Sequence, residues 1–533
     1  MSAIAFDQLG TLFAPLEQLL TMGGDTRLRL DPATQLNGYG CRPYPRPEAF
    51  TFASSTATSI SKRAFAAAAA ERDELARAAA RGGIDAAYAA RVEALRCALL
   101  ALLGLGGSGA ELVFSPSGTD SALHAVFLAR AVLGTPMTSV IAAADETGSG
   151  VPNASCGRHF NSLTAQGASV EKGLPIAGLA EGVATVALPL RDAGRLRSPA
   201  EMDELVLAAV EKALAAGHRV LLHVMDHSKL GARCPSAACL AAIAAHWGDA
   251  VQVVIDACQM RLSRARLAAH LAQGHMVLIT GSKFFTGPPF SGGLLVPPSL
   301  GARLAKVDEV PAGLADYTGR GEWPVSWPGL RAGLAERANL GQLLRWSAAL
   351  QEMRDYFAVP AEFRRYALGR FAEIVPGLIA SEENLELLSD PRTDSVRDEE
   401  WASRSIFPFL VHRDGRALGP DACGVLYRAL NADVSGALPA TLSVRHRSLA
   451  AQPCHIGQPV ALALPQGGSV AALRISAGAR VVSESWSAAG EAASLANLER
   501  EFEQVRVILA KLDLLVRHFD AIERAFAQNR AAA

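Results

Sequence analysis

Three short segments place reactive residue types where structural elements should end. In HMVLITGSKFFTGPPFSGGLLV, an apolar run leads into Thr280, Gly281, Ser282 and Lys283, with aromatic and Gly/Pro residues behind. A lysine held at a strand end among apolar neighbours loses hydration of its charge. Its pKa then falls, leaving the neutral amine that Schiff-base chemistry needs. In VQVVIDACQM, an apolar strand ends on Asp256, with Gln259 three residues later. A carboxylate there is a metal ligand, a base or the N-cap of the next helix. In ELVFSPSGTDSALHAVFLARA, a strand ends at Ser115, and Ser117, Gly118, Thr119, Asp120 and Ser121 open an Ala-rich helix. Helix-start N–H groups attract anions, Gly118 permits close approach and the hydroxyls add donors. The turn is therefore a phosphate cup or an ordinary capping turn.

Only seven of the 51 basic residues are lysine, so one placed at a strand end is not an incidental surface choice. Lys229, in HVMDHSKLG, also follows an apolar run and is the rival for amine chemistry. His223 and His227 in that segment would face one way on a strand, but no third ligand accompanies them, and no metal is expected.

These residues need strands to carry them. Candidate strands are 111–115, 138–143, 184–190, 219–225, 251–257, 275–280 and 292–297, separated by helical patterns such as SALHAVFLARAVL and DELVLAAVEKALAAG. Near-continuous apolar strands linked by helices predict an α/β fold, with a mostly parallel seven-stranded sheet covered on both faces. Residues 1–60, with GCRPYPRPEAF and SSTATSIS, read as an arm packed on the main body or a partner. Residues 61–335 read as the large domain, opening with two helices around Arg81-Gly82-Gly83, and 301–335 as a crossing loop. Residues 336–533 read as a smaller α+β domain. It closes on a helix with one apolar stripe of Leu498, Phe502, Val505, Leu509, Leu512, Val516 and Phe519.

Taken in order, SPSGTDS, Asp256-Ala257-Cys258-Gln259 and Thr280-Gly281-Ser282-Lys283 resemble the motifs of the fold-type I pyridoxal-phosphate enzymes. The likeness is nearest to their class V aminotransferase and cysteine-desulfurase-like branch, with Thr280 standing where serine is usual. It covers residues 100–300 well and the remainder thinly. The resemblance implies pyridoxal 5'-phosphate as cofactor, with Lys283 forming the Schiff base, Asp256 pairing with the pyridine nitrogen and Gln259 touching the ring hydroxyl. Ser117, Gly118, Thr119, Thr280 and Ser282 would hold the phosphate. HSKLGARCP (227–235) resembles the family's loop beneath the cofactor, which sets Lys229 aside as the Schiff-base residue. LRISAGARVV (473–482) resembles the late strand whose arginine grips the substrate carboxylate, making Arg474 the substrate-binding residue.

Two positions depart from the family pattern. Where a flat side chain often covers the ring, DETGSGVP offers Glu146 and Thr147, with His159 more distant. Cys454, in AQPCHIGQPV, lies about where a desulfurase loop cysteine would fall, with His455 beside it to lower its pKa. Members also build each site at a two-fold interface, which implies a homodimer. In GLADYTGRGEWPVSWPG (313–329), Thr318 would reach the partner's phosphate, while Trp323 and Trp327 bury the contact or seal the domain junction.

The functional expectation is a pyridoxal-phosphate enzyme acting on an amino acid or amine, of aminotransferase or C–C/C–S lyase type. Alternatives are a desulfurase using Cys454 as persulfide carrier, and a non-catalytic protein that kept the fold. A nucleotide enzyme is disfavoured, because no GxxxxGK[ST] loop occurs. Over 533 residues the net charge is −1, without the basic excess of a nucleic-acid binder. The longest apolar stretch, 97–105, is too short to span a bilayer, and MSAIAFDQLGTLFAPLEQLL lacks the basic start of a signal peptide. Eight cysteines without a CxxC pair read as reduced thiols of a cytoplasmic protein.

Overall fold

All seven predicted strands form, and they share one sheet. The computed structural model describes residues 10–192, 194–391 and 398–532. Along the chain, β1 (Phe50–Phe52) lies in the N-terminal arm. The large sheet then takes β2 (Glu111–Ser115), β3 (Met137–Ala142), β4 (Val183–Leu188), β5 (Arg219–Met225), β6 (Val251–Asp256), β7 (Met276–Thr280) and β8 (Gly292–Val296). Their order is β2-β8-β7-β6-β5-β3-β4. Only β8 runs against its neighbours, so the other six strands point one way and end on a common edge.

Alternate strand residues enter different cores. Leu112, Phe114, Val277 and Ile279 join one, while Val113, Met276 and Leu278 join the other. Both faces are thus dry, which is why these strands read as apolar runs and not as polar–apolar alternation. The helices that cover them follow local rules. Helices α1 (Lys62–Gly82) and α2 (Ile84–Leu102) meet at Gly83, whose φ of +85° is costly for any side chain. Helix α3 (Gly118–Leu133) buries Ala122, Val126 and Ala129. Helix α4 (Pro199–Ala215) starts on a capping box between Ser198 and Glu201 and buries Met202, Val206 and Val210 beside β3 and β5. Helix α5 (Leu340–Ala358) packs on α1, and its Trp346 rests on Phe114 and donates to the Gly292 carbonyl at 2.8 Å.

A second sheet holds β9 (Leu385–Leu387), β10 (Ile406–Arg413), β11 (Cys454–Ala463) and β12 (Ser469–Ser476). Its order is β1-β11-β12-β10-β9, with Arg416–Ala417 paired on β10. The arm therefore contributes an edge strand: β1 pairs parallel with β11, Phe50 opposite Cys454 and Phe52 opposite Ile456. Helix α6 (Glu491–Arg517) buries Leu498, Phe502, Val505, Leu509, Leu512 and Val516, and Phe519 is buried past a break at His518. The expected crossing loop is instead a chain of short helical turns (Ala312–Asp316, Arg320–Glu322, Pro328–Ala332) around buried Trp323 and Trp327. Among the described residues no helix is long and apolar enough to cross a membrane.

Arg345 of α5 is wholly buried. Its Nε donates to the Phe290 carbonyl (2.8 Å), Nη1 to those of Leu20 (3.1 Å) and Met22 (2.5 Å), and Nη2 to that of Gly23 (3.0 Å). One guanidinium thus fastens the arm and the loop before β8 to the same helix. Arg345→Met fills similar volume but strands these carbonyls. It should cost roughly 2–4 kcal/mol in urea unfolding and open the chain near Arg27 and Arg29 to trypsin. Wild-type stability and protease resistance would contradict this account.

Candidate active site

The common edge of the large sheet gathers the end of β2, the loops after β3, β5, β6 and β7, and the start of β8 around one cavity of about 390 Å³. Ser117 caps α3 in an extended conformation. Its N–H and Oγ donate to Asp120 Oδ2 at 3.0 and 2.5 Å, and its Oγ accepts from the Asp120 N–H at 3.3 Å. Burial pushes the Asp120 carboxyl up to about 7, with the Ser117 hydrogen bonds opposing it. The capping box takes the Asp120 N–H, and the Gly118 and Thr119 N–H groups, in residues that line the cavity, have no partner within the helix.

Two glycines make this cup possible. A Cβ on Gly118 would sit 2.7 Å from Cys258 Sγ, and one on Gly292 would sit 2.5 Å from the Ser117 carbonyl carbon. Side chains there would push β8 and the β6 loop away from the helix start. Thr280 Oγ1 donates to the Cys258 carbonyl at 2.7 Å, tying the end of β7 to the β6 loop. Lys283 follows on a loop closed by Gly281 N–H to Ser291 O (2.8 Å), Thr286 N–H to Lys283 O (2.9 Å) and Gly287 N–H to Gly281 O (2.9 Å). Both glycines of that loop press on Ala349 of α5, where a Cβ would come within 2.6 Å. The Lys283 backbone is therefore fixed, and its side chain lines the cavity with Ser282.

Asp256 ends β6. Its Oδ1 accepts from the Cys258 N–H at 3.1 Å and its Oδ2 from Thr147 Oγ1 at 3.2 Å. His223, on β5 opposite Val254, is buried with Nε2 unpartnered. Burial holds this imidazole down to about 4, against the pull of the Asp256 charge. Gln259 donates from Nε2 to the Ser55 carbonyl (3.1 Å) and accepts at Oε1 from Arg261 (2.7 Å). Arg474 of β12 is 3% exposed and donates to Gln458 O (2.8 Å), Thr56 Oγ1 (2.9 Å) and Lys229 O (3.1 Å). Lys229 lines the same cavity, and burial, then Arg474 and Lys283, bring its ammonium down to about 8.

The structure thus brings together Ser117, Gly118, Thr119, Asp256, Gln259, Thr280, Ser282, Lys283 and Arg474, with Glu146 and Thr147 beside them. Glu146 is taken by Arg191 Nε (2.9 Å) and by Ser228. Other expected residues lie elsewhere. Thr318 is 2% exposed, accepting from Trp323 Nε1 at 2.9 Å and donating to Glu322 at 3.3 Å, in the chain's own interior. His159 stacks on Tyr317 and bonds its hydroxyl at 2.6 Å, away from the cavity. Cys454 starts β11 and is covered by β1, so it is no loop residue, and burial pushes its thiol up to about 11. His455 does not lower it: that ring is buried against Tyr39 O (3.0 Å) and Tyr427 (3.1 Å) and brought down to about 4. His227 bonds Asp226 at 2.9 Å, and no three potential ligands gather for a metal among the described residues.

The arm supplies lining residues that sequence patterns missed: Arg27, Gly38, Tyr39, Ser55, Thr56 and Ala57. Arg27 clamps Asp25 with bonds of 2.6–3.0 Å and reaches Ser117 Oγ at 3.3 Å. Only the hydroxyl-rich run SSTATSIS hinted at polar work there.

No family model and no curated protein sequence matches the chain. Among solved structures, a NifS-like protein aligns over 88% of this chain and 100% of its own at 13% identity and a TM-score of 0.51. Tryptophan decarboxylase of Catharanthus roseus, in complex with L-tryptophan, aligns over 88% of this chain and 83% of its own, with 14% identity and a TM-score of 0.48. The cystine C–S lyase C-DES, in complex with cysteine persulfide, aligns over 85% and 97%, with 15% identity and a TM-score of 0.48. At such identities the likeness speaks to the backbone alone, and it rests on the first of the three. The chain has the fold of the fold-type I pyridoxal-phosphate enzymes.

Proposed function

We propose that the protein is a pyridoxal-phosphate-dependent enzyme acting on an amino acid or amine, of aminotransferase or lyase type. The observation that carries this reading is the meeting of Lys283, Asp256 and the helix start at Ser117–Thr119 around one cavity. The residues present fit the cofactor. The cup cleared by Gly118 and Gly292 at the positive end of α3 suits a phosphate. Thr119, Thr280 and Ser282 line it.

Bound there, the cofactor supplies a ring that takes up the electron pair released at the substrate's Cα. Asp256 would hold a proton on the ring nitrogen, and the Cys258 N–H and Thr147 hydroxyl fix the direction of that carboxylate. Lys283 would hold the cofactor through its amine and would move a proton at the substrate's Cα. Gln259, gripped at both ends by Ser55 and Arg261, would touch the ring hydroxyl. Arg474 puts a cation on the arm side of the cavity for the substrate carboxylate. A homodimer in a reducing, cytoplasmic compartment completes the reading. Its eight free thiols suit that compartment, but Thr318, Trp323 and Trp327 no longer carry the dimer contact.

Lys283→Ala should lose the visible absorption of bound cofactor and all turnover, whereas Lys229→Ala should keep the absorption. The reverse pattern would place the register of the site elsewhere. Asp256→Asn should fold and load cofactor yet lose at least about 100-fold in turnover; unchanged turnover in loaded protein would refute its role.

Cys454 tests the persulfide route. In native protein iodoacetamide should label exposed Cys97 and spare Cys454, by mass spectrometry of peptides, and Cys454→Ser should keep most activity. Rapid labelling of Cys454, with turnover lost on substitution, would restore the desulfurase alternative.

A further inference from the structure

The charges lining the cavity do not balance. Arg27 is paired with Asp25, and Glu146 with Arg191. What remains is Lys283, Lys229 and Arg474, faced by one uncommitted carboxylate, Asp256. Lys283 and Asp256 are used by the cofactor in the reading above, and its phosphate has the α3 start. Lys229 and Arg474 are left as two adjacent cations without a carboxylate of their own.

Lys229 is not a loose surface side chain. Its loop is closed by paired bonds between Met225 and Cys234 (2.8 and 3.0 Å) and by the Ser228 N–H to Ala232 O (2.8 Å). Ser228 Oγ accepts from the Leu230 and Ala232 N–H groups (3.2 and 3.0 Å) and donates to Glu146. The Lys229 N–H donates to Glu146 O at 3.1 Å, and its carbonyl accepts from Arg474 Nη1 at 3.1 Å. The loop after β3 and strand β12 thus hold its backbone from two sides while the side chain projects into the cavity. The nearest acids, Glu146 and Asp145, are engaged: Asp145 accepts from the Leu190 and Arg191 N–H groups at 2.6 and 3.1 Å. Among the described residues no carboxylate lies within 4 Å of the Lys229 ammonium. A half-buried cation held this firmly beside another carries an electrostatic cost that an anionic ligand group removes.

The geometry points to Lys229 as the residue that binds a second anionic group of the substrate, so that the enzyme takes amino acids with an acidic side chain: a carboxylate, or an equivalent sulfinate or phosphonate. This rests on the pyridoxal-phosphate reading for the amino-acid part, while the dianion site stands on the lining charges alone. Binding requires the ammonium form. Facing Lys229 are Arg474 from β12, Lys283 from the β7 loop, and Glu146 and Asp145 from the β3 loop. Burial, then the first two, lower its pKa and the acids raise it, so preference for the acidic ligand should fade as pH rises through about 8.

The experiment uses the full-length, cofactor-loaded protein. Spectral titration with aspartate and glutamate, against asparagine and glutamine, should show the acids binding at least about tenfold tighter. Lys229→Met should bring acid and amide within about twofold, and Lys229→Arg should retain most of the discrimination. Discrimination absent in the wild type, or unchanged in Lys229→Met, overturns the proposal. So does a fall in turnover equal for all substrates, which would mark proton transfer instead. A second measurement needs no amine chemistry: succinate and glutarate should raise the Tm of wild type but not of Lys229→Met, and butyrate should do neither. If wild type shows no visible cofactor absorption, the pyridoxal-phosphate reading fails, and the dicarboxylate shift still decides the role of Lys229.

Discussion

The guanidinium of Arg261 holds together three parts of the chain that must meet for a site to exist. It has no exposed surface. Nε donates to Ser405 Oγ (2.9 Å), Nη1 to the Gln259 carbonyl and Oε1 (3.1 and 2.7 Å), and Nη2 to Ser54 Oγ and the Ala477 carbonyl (2.9 and 3.1 Å). It therefore links the loop after β6, the arm and the second sheet through neutral oxygens alone. Burial, then the nearby Arg474 charge, pushes it down to about 9. A cation in that place is tolerable because every N–H finds an acceptor, and arginine offers five in a rigid fork. Lysine, with three donors on one atom, could not span the same oxygens. The same solution recurs at Arg345 and Arg474, each buried and donating to neutral oxygens.

Around these joints the site is set by close backbone approach. Gly292 lets β8 pass against the Ser117 turn, and Gly281 and Gly287 let the Lys283 loop lie directly on α5. The lysine, the carboxylate and the helix start are thus positioned by backbone hydrogen bonds and packing. Lys283 needs no side-chain partner of its own to be aimed.

What the sequence made legible was local. The strands of the large sheet are apolar throughout because both faces are covered, so their limits fall within two residues of the apolar runs. Ser117, Asp256 and Lys283 were readable because each sits at a strand end, where the change from apolar run to polar turn marks the position. The arm's part was not readable. Ser55, Thr56 and Tyr39 line the cavity only because β1 pairs with β11, and no nearby residue encodes that pairing. Trp323 and Trp327 misled for a related reason: a tryptophan suits a protein interior and an interface equally, and here Trp323 finds its acceptor on Thr318 of the same chain. Cys454 read as a loop cysteine because CHIGQPV, with Gly457 and Pro459 inside it, looks like a loop until its pairing with β1 is known.

The pairing of β1 with β11 also sets an order of events at the ribosome. Arg474 reaches the Ser55 carbonyl across 419 residues of chain. At common elongation rates that separation corresponds to roughly 20–80 s between the emergence of the two. The large sheet, with Lys283 and Asp256, is fully translated well before the arm's partner strand exists. Until β11 and β12 are made, the cleft lacks the wall that Gln458 and Arg474 supply.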